Sequence, residues 1–209
     1  ESLAEMSTTH FTDEQRDALQ EVLNIAMGQA GDSLARILDT FISLSVPRIR
    51  LVNVEEVATA VIDMVGIRTE VTAVRQAFFD DLRGEAIVIY GQRGCKDLAD
   101  LMGYPAKMDP ATETELVLDV TNVLVGAILN GITETLGTEI SYSAPSMIAE
   151  STPVEKIMDP NQLSWSHALL LEVNYSIEKR DFKSHLLLLM AEDAIDSLRK
   201  AVHHFMEAI

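Results

Sequence analysis

The stretch Asp17-Ala-Leu-Gln-Glu21-Val-Leu-Asn24 is followed by Gly28 four residues on and, with 22 residues between, by Pro47. The same spacing returns 98 residues later as Glu115-Leu-Val-Leu-Asp119-Val-Thr-Asn122, with Gly126 and Pro145 at the matching offsets. At about 100° per residue, Asp17, Glu21, Asn24 and Gly28 fall within an arc of about 60° on one helix face, and so do Glu115, Asp119, Asn122 and Gly126. The other face is apolar, with Leu19, Val22, Ile25 and Ala26 in the first copy and Val117, Val120, Leu124 and Ile128 in the second. Both segments therefore read as helices with one face for a core and a narrow polar stripe facing outward. Their starts are legible too. Thr12-Asp13-Glu14-Gln15 has the form of a capping box with acids in the first turn, and Asp109-Pro110 reads as an N-cap followed by Pro at the first helical position.

A polar stripe is ordinarily a solvated helix face. Asn, however, is a poor mid-helix residue, and Gly costs about 1 kcal/mol relative to Ala. Both recur at the same offsets in the second copy. A solvated face has no cause to repeat its least favourable residues, so the stripe reads as functional. It offers two acids and an amide, with a glycine that lets another backbone come close.

The bulk composition narrows the class. With 209 residues, 47% apolar, and only 10 Gly and 6 Pro, the chain is a compact globular protein with enough length for one good core. A formal net charge of −17 argues against nucleic acid or an anionic membrane as partner. It fits a partner that presents cationic groups, and equally a device for solubility. The single Cys95 cannot form an internal disulfide, which suits a reducing compartment, and it reads as a packed side chain. No run of 18 apolar residues and no charged start before an apolar core occur, so a cytoplasmic protein without membrane insertion is expected. The chain begins at Glu1 rather than Met, which leaves room for residues upstream, with Met6 as a candidate natural start and residues 1–10 expected to fray.

Beyond each motif the helical pattern continues, through Leu34, Ile37 and Leu38 in the first half and Ile128, Ile132 and Leu136 in the second, with Gly31 and Gly131 as candidate breaks. Similar exits follow, Ile42-Ser-Leu-Ser-Val-Pro47 and Ile140-Ser-Tyr-Ser-Ala-Pro145, which read as short strands closed by Pro, the first extended through residues 48–53. Each half then offers a hairpin, 68–78 with 84–90 and 166–176 with 182–190, and ends in a short helix, 95–102 or 192–206. Helix–strand–hairpin–helix, run twice, predicts a single α+β domain with pseudo-twofold symmetry, its half-repeats spanning about 11–102 and 109–209. The halves are expected to share one antiparallel sheet with the motif helices packed on it. Other signals carry little. His203-His204 lacks an i+4 ligand partner for a metal, so no metal site is expected; Ser197-Leu-Arg-Lys200 lacks the companion motifs of serine acylases, and Asp80-Asp81 reads as a turn.

The pattern [D/S]-x3-E-x2-N-x22-P, matched in full by Asp17, Glu21, Asn24 and Pro47, resembles that of the CheC/CheX/FliY phosphatases of bacterial and archaeal chemotaxis. The resemblance covers nearly the whole chain, since CheC-like members carry two such units. It implies hydrolysis of the aspartyl phosphate on a CheY-type receiver domain of a response regulator. It implies no cofactor of the chain's own, with Mg2+ carried by the receiver, and CheD or flagellar switch proteins as further partners.

An aspartyl phosphate is already activated, and its hydrolysis lacks mainly a water placed in line with the scissile bond. The carboxamide of Asn24 suits that task because it is neutral and can both accept and donate. The resemblance implies that Glu21 pairs with the receiver's active-site lysine and sets the register, while Asp17 supports docking and Gly28 admits the receiver backbone. The second copy departs from the pattern. Glu115 stands where Asp or Ser is expected, and Asp119 stands where the family has Glu. The shorter side chain withdraws the carboxylate by about 1–1.5 Å, and catalytic geometry tolerates little of that. Site one is therefore the expected working site, with Asp119 and Asn122 a degenerate second. The rival reading is a module that grips a response regulator or a flagellar-switch partner without turnover.

Overall fold

Thr12 opens the first helix, α1 (Asp13–Leu38), with the expected capping box: its hydroxyl accepts from Gln15 N at 3.1 Å while the Gln15 side chain accepts from Thr12 N at 3.0 Å. Asp109 opens α3 (Pro110–Leu136), accepting from Thr112 N at 2.8 Å with Pro110 in the first turn. That backbone hydrogen bond holds the Asp109 carboxyl below its ordinary value. Both helices run unbroken through the glycines that the sequence suggested as breaks. The glycines serve close approach instead. A Cβ on Gly31 would lie 3.1 Å from the Ile42 carbonyl oxygen, and one on Gly131 would lie 2.4 Å from that of Ala26. α3 ends where Gly137 takes a left-handed conformation, the usual role of Gly at a helix C-terminus.

The computed structural model describes residues 11–91, 99–100, 102–157, 165–177 and 180–209. Between and after the two long helices lie β1 (Ile42–Asn53), α2 (Val54–Val65), β2 (Glu70–Asp80), β3 (Gly84–Gly91), β4 (Ile140–Tyr142), β5 (Ser146–Pro153), β6 (His167–Ile177), β7 (Arg180–Met190) and α4 (Glu192–Glu207). The expected hairpins are β2–β3 and β6–β7. α2 was not expected, although Val57, Ala60, Val61 and Met64 lie at helical spacing and form its buried face. Cys95 and most of the helix expected over 95–102 lie outside the described residues; Ala99 and Asp100 are helical, and Met102 is already in a turn.

The strands form one antiparallel sheet in the order β1-β6-β7-β3-β2-β4, with β5 also paired to β2. The halves are interleaved. β1 of the first half pairs with β6 of the second, while β4 and β5 of the second pair with β2 of the first. In each copy the ladder is disturbed at the motif proline. Between Ser45 and Arg48 the register shifts, so that Val46 and Pro47 together face Val173, and in the second half Pro145 separates β4 from β5. Pro cannot donate to a ladder, which makes it a natural place for a bulge or an end.

α1, α3 and α4 cover one face of the sheet, packing on Leu169, Leu171, Leu186 and Leu188, while α2 covers the other over Leu170, Leu187 and Leu189. Burying each such side chain is worth about 1.5–3 kcal/mol, which clamps the motif helices to a rigid bed. α3 is long and apolar enough to cross a membrane by length and composition, but 67% of its most apolar window is buried within the fold. It is a core helix. Two residues of the expected apolar pattern are not in the core: Ile25 is 37% exposed, beside Asn24 on the outer face of α1, and Ile37 near the end of that helix is 60% exposed.

Candidate functional site

α1 delivers the first motif as read from sequence. Asp17, Glu21, Asn24 and Gly28 are all exposed, while Leu19, Val22, Leu23, Ala26 and Met27 on the same helix are buried. Among the described residues neither Asp17 nor Glu21 holds a hydrogen bond or an ion pair, so both carboxylates are free to take a cation from outside. A Cβ placed on Gly28 would meet nothing within 4 Å. Asp17 and Gln20 line a cleft of about 540 Å³ that α1 forms with Ile49, Arg50 and Leu51 of β1. The Gln20 side chain spans from the Val46 carbonyl, at 3.0 Å, to Asn24 Oδ1, at 3.4 Å. Pro47 lies within β1 at the register shift between Ser45 and Arg48.

α3 places Glu115, Asp119 and Asn122 on its exposed face in the same way, but the surroundings differ. The Tyr104 hydroxyl, from the connection between the halves, donates to Asp119 Oδ2 at 2.6 Å. This bond, reinforced by the charges of Asp119 and Glu115, raises the phenol from 10.0 to about 12. Gly126 is buried under Tyr142, whose hydroxyl oxygen would lie 2.8 Å from a Cβ added there. The first-half counterpart of Tyr142, 98 residues earlier, is Leu44, which is turned into the core. Asn122 Oδ1 accepts at 3.0 Å from Nε2 of Gln76 on β2, a side chain only 1% exposed. Pro145 sits just beyond Ser143, whose carbonyl accepts from the same Gln76 nitrogen at 2.7 Å.

The two sites thus share a backbone plan and differ in access. Site one has unengaged acids and an open glycine. In site two a tyrosine occupies the second acid and another lies over the glycine. Sequence reasoning missed Gln20, Gln76, Tyr104 and Tyr142. Gln20 stands four residues before Asn24, a spacing at which helical side chains meet, so its signal was present. The other three reach their partners from remote segments. Among the described residues no group of three or more His, Cys, Asp or Glu is arranged to hold a metal ion. His203 and His204 are exposed on α4.

Residues 14–50, which hold all but the first residue of α1 and most of β1, match the model of the CheC-like family. This segment is CheC-like. The whole fold agrees: Thermotoga maritima FliY superposes with a TM-score of 0.73 at 21% identity, covering 93% of this chain and 98% of that one. The FliM middle domain of H. pylori superposes with a TM-score of 0.60 at 10% identity, covering 91% of this chain and 99% of that one. A chain of the H. pylori FliG–FliM complex gives a TM-score of 0.60 at 8% identity, covering 90% of this chain and all (100%) of that chain. The α+β architecture is therefore the FliY fold, which the FliM middle domain shares, and the CheC-like segment is the one that carries site one.

Proposed function

We propose that the chain is a phosphatase for the aspartyl phosphate of a CheY-type receiver domain, working through site one. The observation that carries this reading is the uncovered stripe Asp17–Glu21–Asn24–Gly28 on a long helix fixed to the sheet. Glu21 takes the receiver's active-site lysine, and Asp17 adds charge one turn earlier. Ile25, exposed beside them, supplies apolar contact, and Gly28 lets the receiver backbone lie against the helix. Docking in that register brings Asn24 to the phosphoryl group, where its carboxamide holds a water in line with the scissile P–O bond. A carboxylate in its place would be repelled by the phosphoryl oxygens. The chain brings no cofactor of its own, the receiver carrying its Mg2+, and the two meet in the cytoplasm.

A second reading is a regulator-binding or switch-binding module without turnover. The uptake of Asp119 by Tyr104 favours it for site two, and the FliM-like fold is compatible with it. CheD or flagellar switch proteins are partners under either reading. Phosphate release from a phosphorylated receiver separates the two. Asn24→Ala is expected to lower kcat by about 10²–10³-fold, the cost of removing one such group, while receiver binding persists. Undiminished turnover in the combined Asn24→Ala, Asn122→Ala variant would sink the mechanism. Binding without any acceleration by the unaltered protein would leave the module as the better description.

A further inference from the structure

Each motif asparagine is met by a glutamine, and the two glutamines come from different places in the chain. In site one Gln20 Nε2 donates to the Val46 carbonyl and to Asn24 Oδ1; in site two Gln76 Nε2 donates to the Ser143 carbonyl and to Asn122 Oδ1. Gln20 belongs to α1, but its counterpart 98 residues on is Leu118, and Gln76 comes from β2. The halves have reached one arrangement with unrelated residues. A side chain kept only to satisfy a strand carbonyl has no reason to take the motif asparagine as its second acceptor twice.

The orientation of these amides follows from the acceptors. A main-chain carbonyl can only accept, so each glutamine must turn its nitrogen toward Val46 or Ser143. That nitrogen can only donate, so the asparagine atom beside it is the oxygen. The accepting carbonyls also give the motif prolines a purpose. Val46 immediately precedes Pro47 at the bulge in β1, and Ser143 lies two residues before Pro145, between β4 and β5. At both places the disturbed ladder leaves a main-chain carbonyl for a glutamine, that of α1 at Val46 and that of β2 at Ser143.

We infer that Gln20 and Gln76 are positioning residues that fix the carboxamides of Asn24 and Asn122. Each ties one lone pair of Oδ1 to the sheet through a glutamine amide. Among the described residues the second lone pair and both Nδ2 protons hold no hydrogen bond within the protein, which leaves them for the attacking water. The consequence for turnover rests on the phosphatase reading; the orientation of the asparagine does not. The tether in site two is the shorter, at 3.0 Å, and is part-buried, while that in site one is 3.4 Å and exposed.

The test is Gln20→Met, which keeps the length of the side chain and removes its donors. Two measurements are made on the full chain: the χ1 couplings of Asn24 by NMR, and kcat and KM on a phosphorylated receiver. The expected result is one Asn24 rotamer in the unaltered protein and rotamer averaging in the variant. With it, kcat should fall about ten- to a hundredfold at unchanged KM, as for a group displaced by about 1 Å. An Asn24 that is equally ordered in the variant overturns the inference, as does one already averaged in the unaltered protein, whatever happens to the rate. If the unaltered protein hydrolyses nothing, the phosphatase reading fails alone and the couplings still decide. Gln76→Met should free Asn122 in the same way. Because Gln76 is buried, that variant is read only alongside its thermal unfolding, and Gln20→Met stands without it.

Discussion

Ala26 and Gly131 bring the two motif helices together backbone to backbone: a Cβ on Gly131 would lie 2.4 Å from the Ala26 carbonyl oxygen. The obstacle is main chain, which cannot swing aside. Gly131→Ala is therefore expected to push α1 and α3 apart at a cost of about 1–3 kcal/mol, more than the gain of roughly 1 kcal/mol in helix propensity. Thermal unfolding reads the result as a lowered midpoint. An unchanged midpoint would mean that the helices can separate freely at this point.

Gly28 is the opposite case, since a methyl group there meets nothing in the protein. Gly28→Ala should raise stability by up to about 1 kcal/mol through helix propensity. On the proposed docking it should also weaken receiver binding, since the methyl group would stand where that reading puts the partner's backbone. Chemical denaturation and a receiver titration are read together. A more stable variant that binds a receiver as tightly as the parent would show that the partner docks elsewhere.

The Tyr104–Asp119 bond makes a pH prediction. The phenol is raised from 10.0 to about 12 in the folded protein, with Asp119 as the main cause. Between these values the unfolded chain gives up the proton and the folded chain keeps it. The contribution to stability is therefore fully present below pH about 10 and is lost as pH rises toward 12. Phenolate absorbance should contain a late-titrating component that Tyr104→Phe removes. A titration curve that Tyr104→Phe leaves unchanged apart from one ordinary tyrosine would contradict the bond.

Site two also offers a gain-of-function test. On the phosphatase reading, an Asn24→Ala background lowers the contribution of site one so that a gain at Asn122 can be read. Combining Asp119→Glu with Tyr104→Phe restores the longer acid and frees it from its hydroxyl donor. Receiver dephosphorylation by this variant is expected to rise about tenfold over Asn24→Ala alone, on the scale of a 1 Å correction in placement. No rise would assign the closure of site two to Tyr142 over Gly126, which Tyr142→Ser then examines.

What the sequence disclosed was local. Thr12, Gln15, Asp109 and Pro110 act within a turn of the helix they start, so both motif helices could be placed from spacing alone. The stripes followed, because helical periodicity puts Asp17, Glu21, Asn24 and Gly28 together whatever the rest of the chain does. Gly31 and Gly131 were misread because a missing side chain looks the same whether it breaks a helix or admits another backbone. Ile25 was misread because an apolar residue at the border of a stripe can face either way. α2 was legible in its apolar spacing and went unread beside the stronger strand signal before it. Gln76 could not have been found, since it meets Asn122 and Ser143 only once β2 and α3 have been brought together. The interleaved strand order was hidden for the same reason, as hairpins are written in adjacent residues and crossovers are not.

The interleaving has a consequence for how the protein is made. β1, on which α1 rests, leaves the ribosome early, yet its only ladder partner among the described residues is β6, with Ile42 waiting for Ile177. Until the last quarter of the chain has been synthesised, the first motif helix has no completed sheet beneath it. A message cut short before His167 would still encode all of site one, and the polypeptide it yields would have no finished surface on which to hold that site in shape.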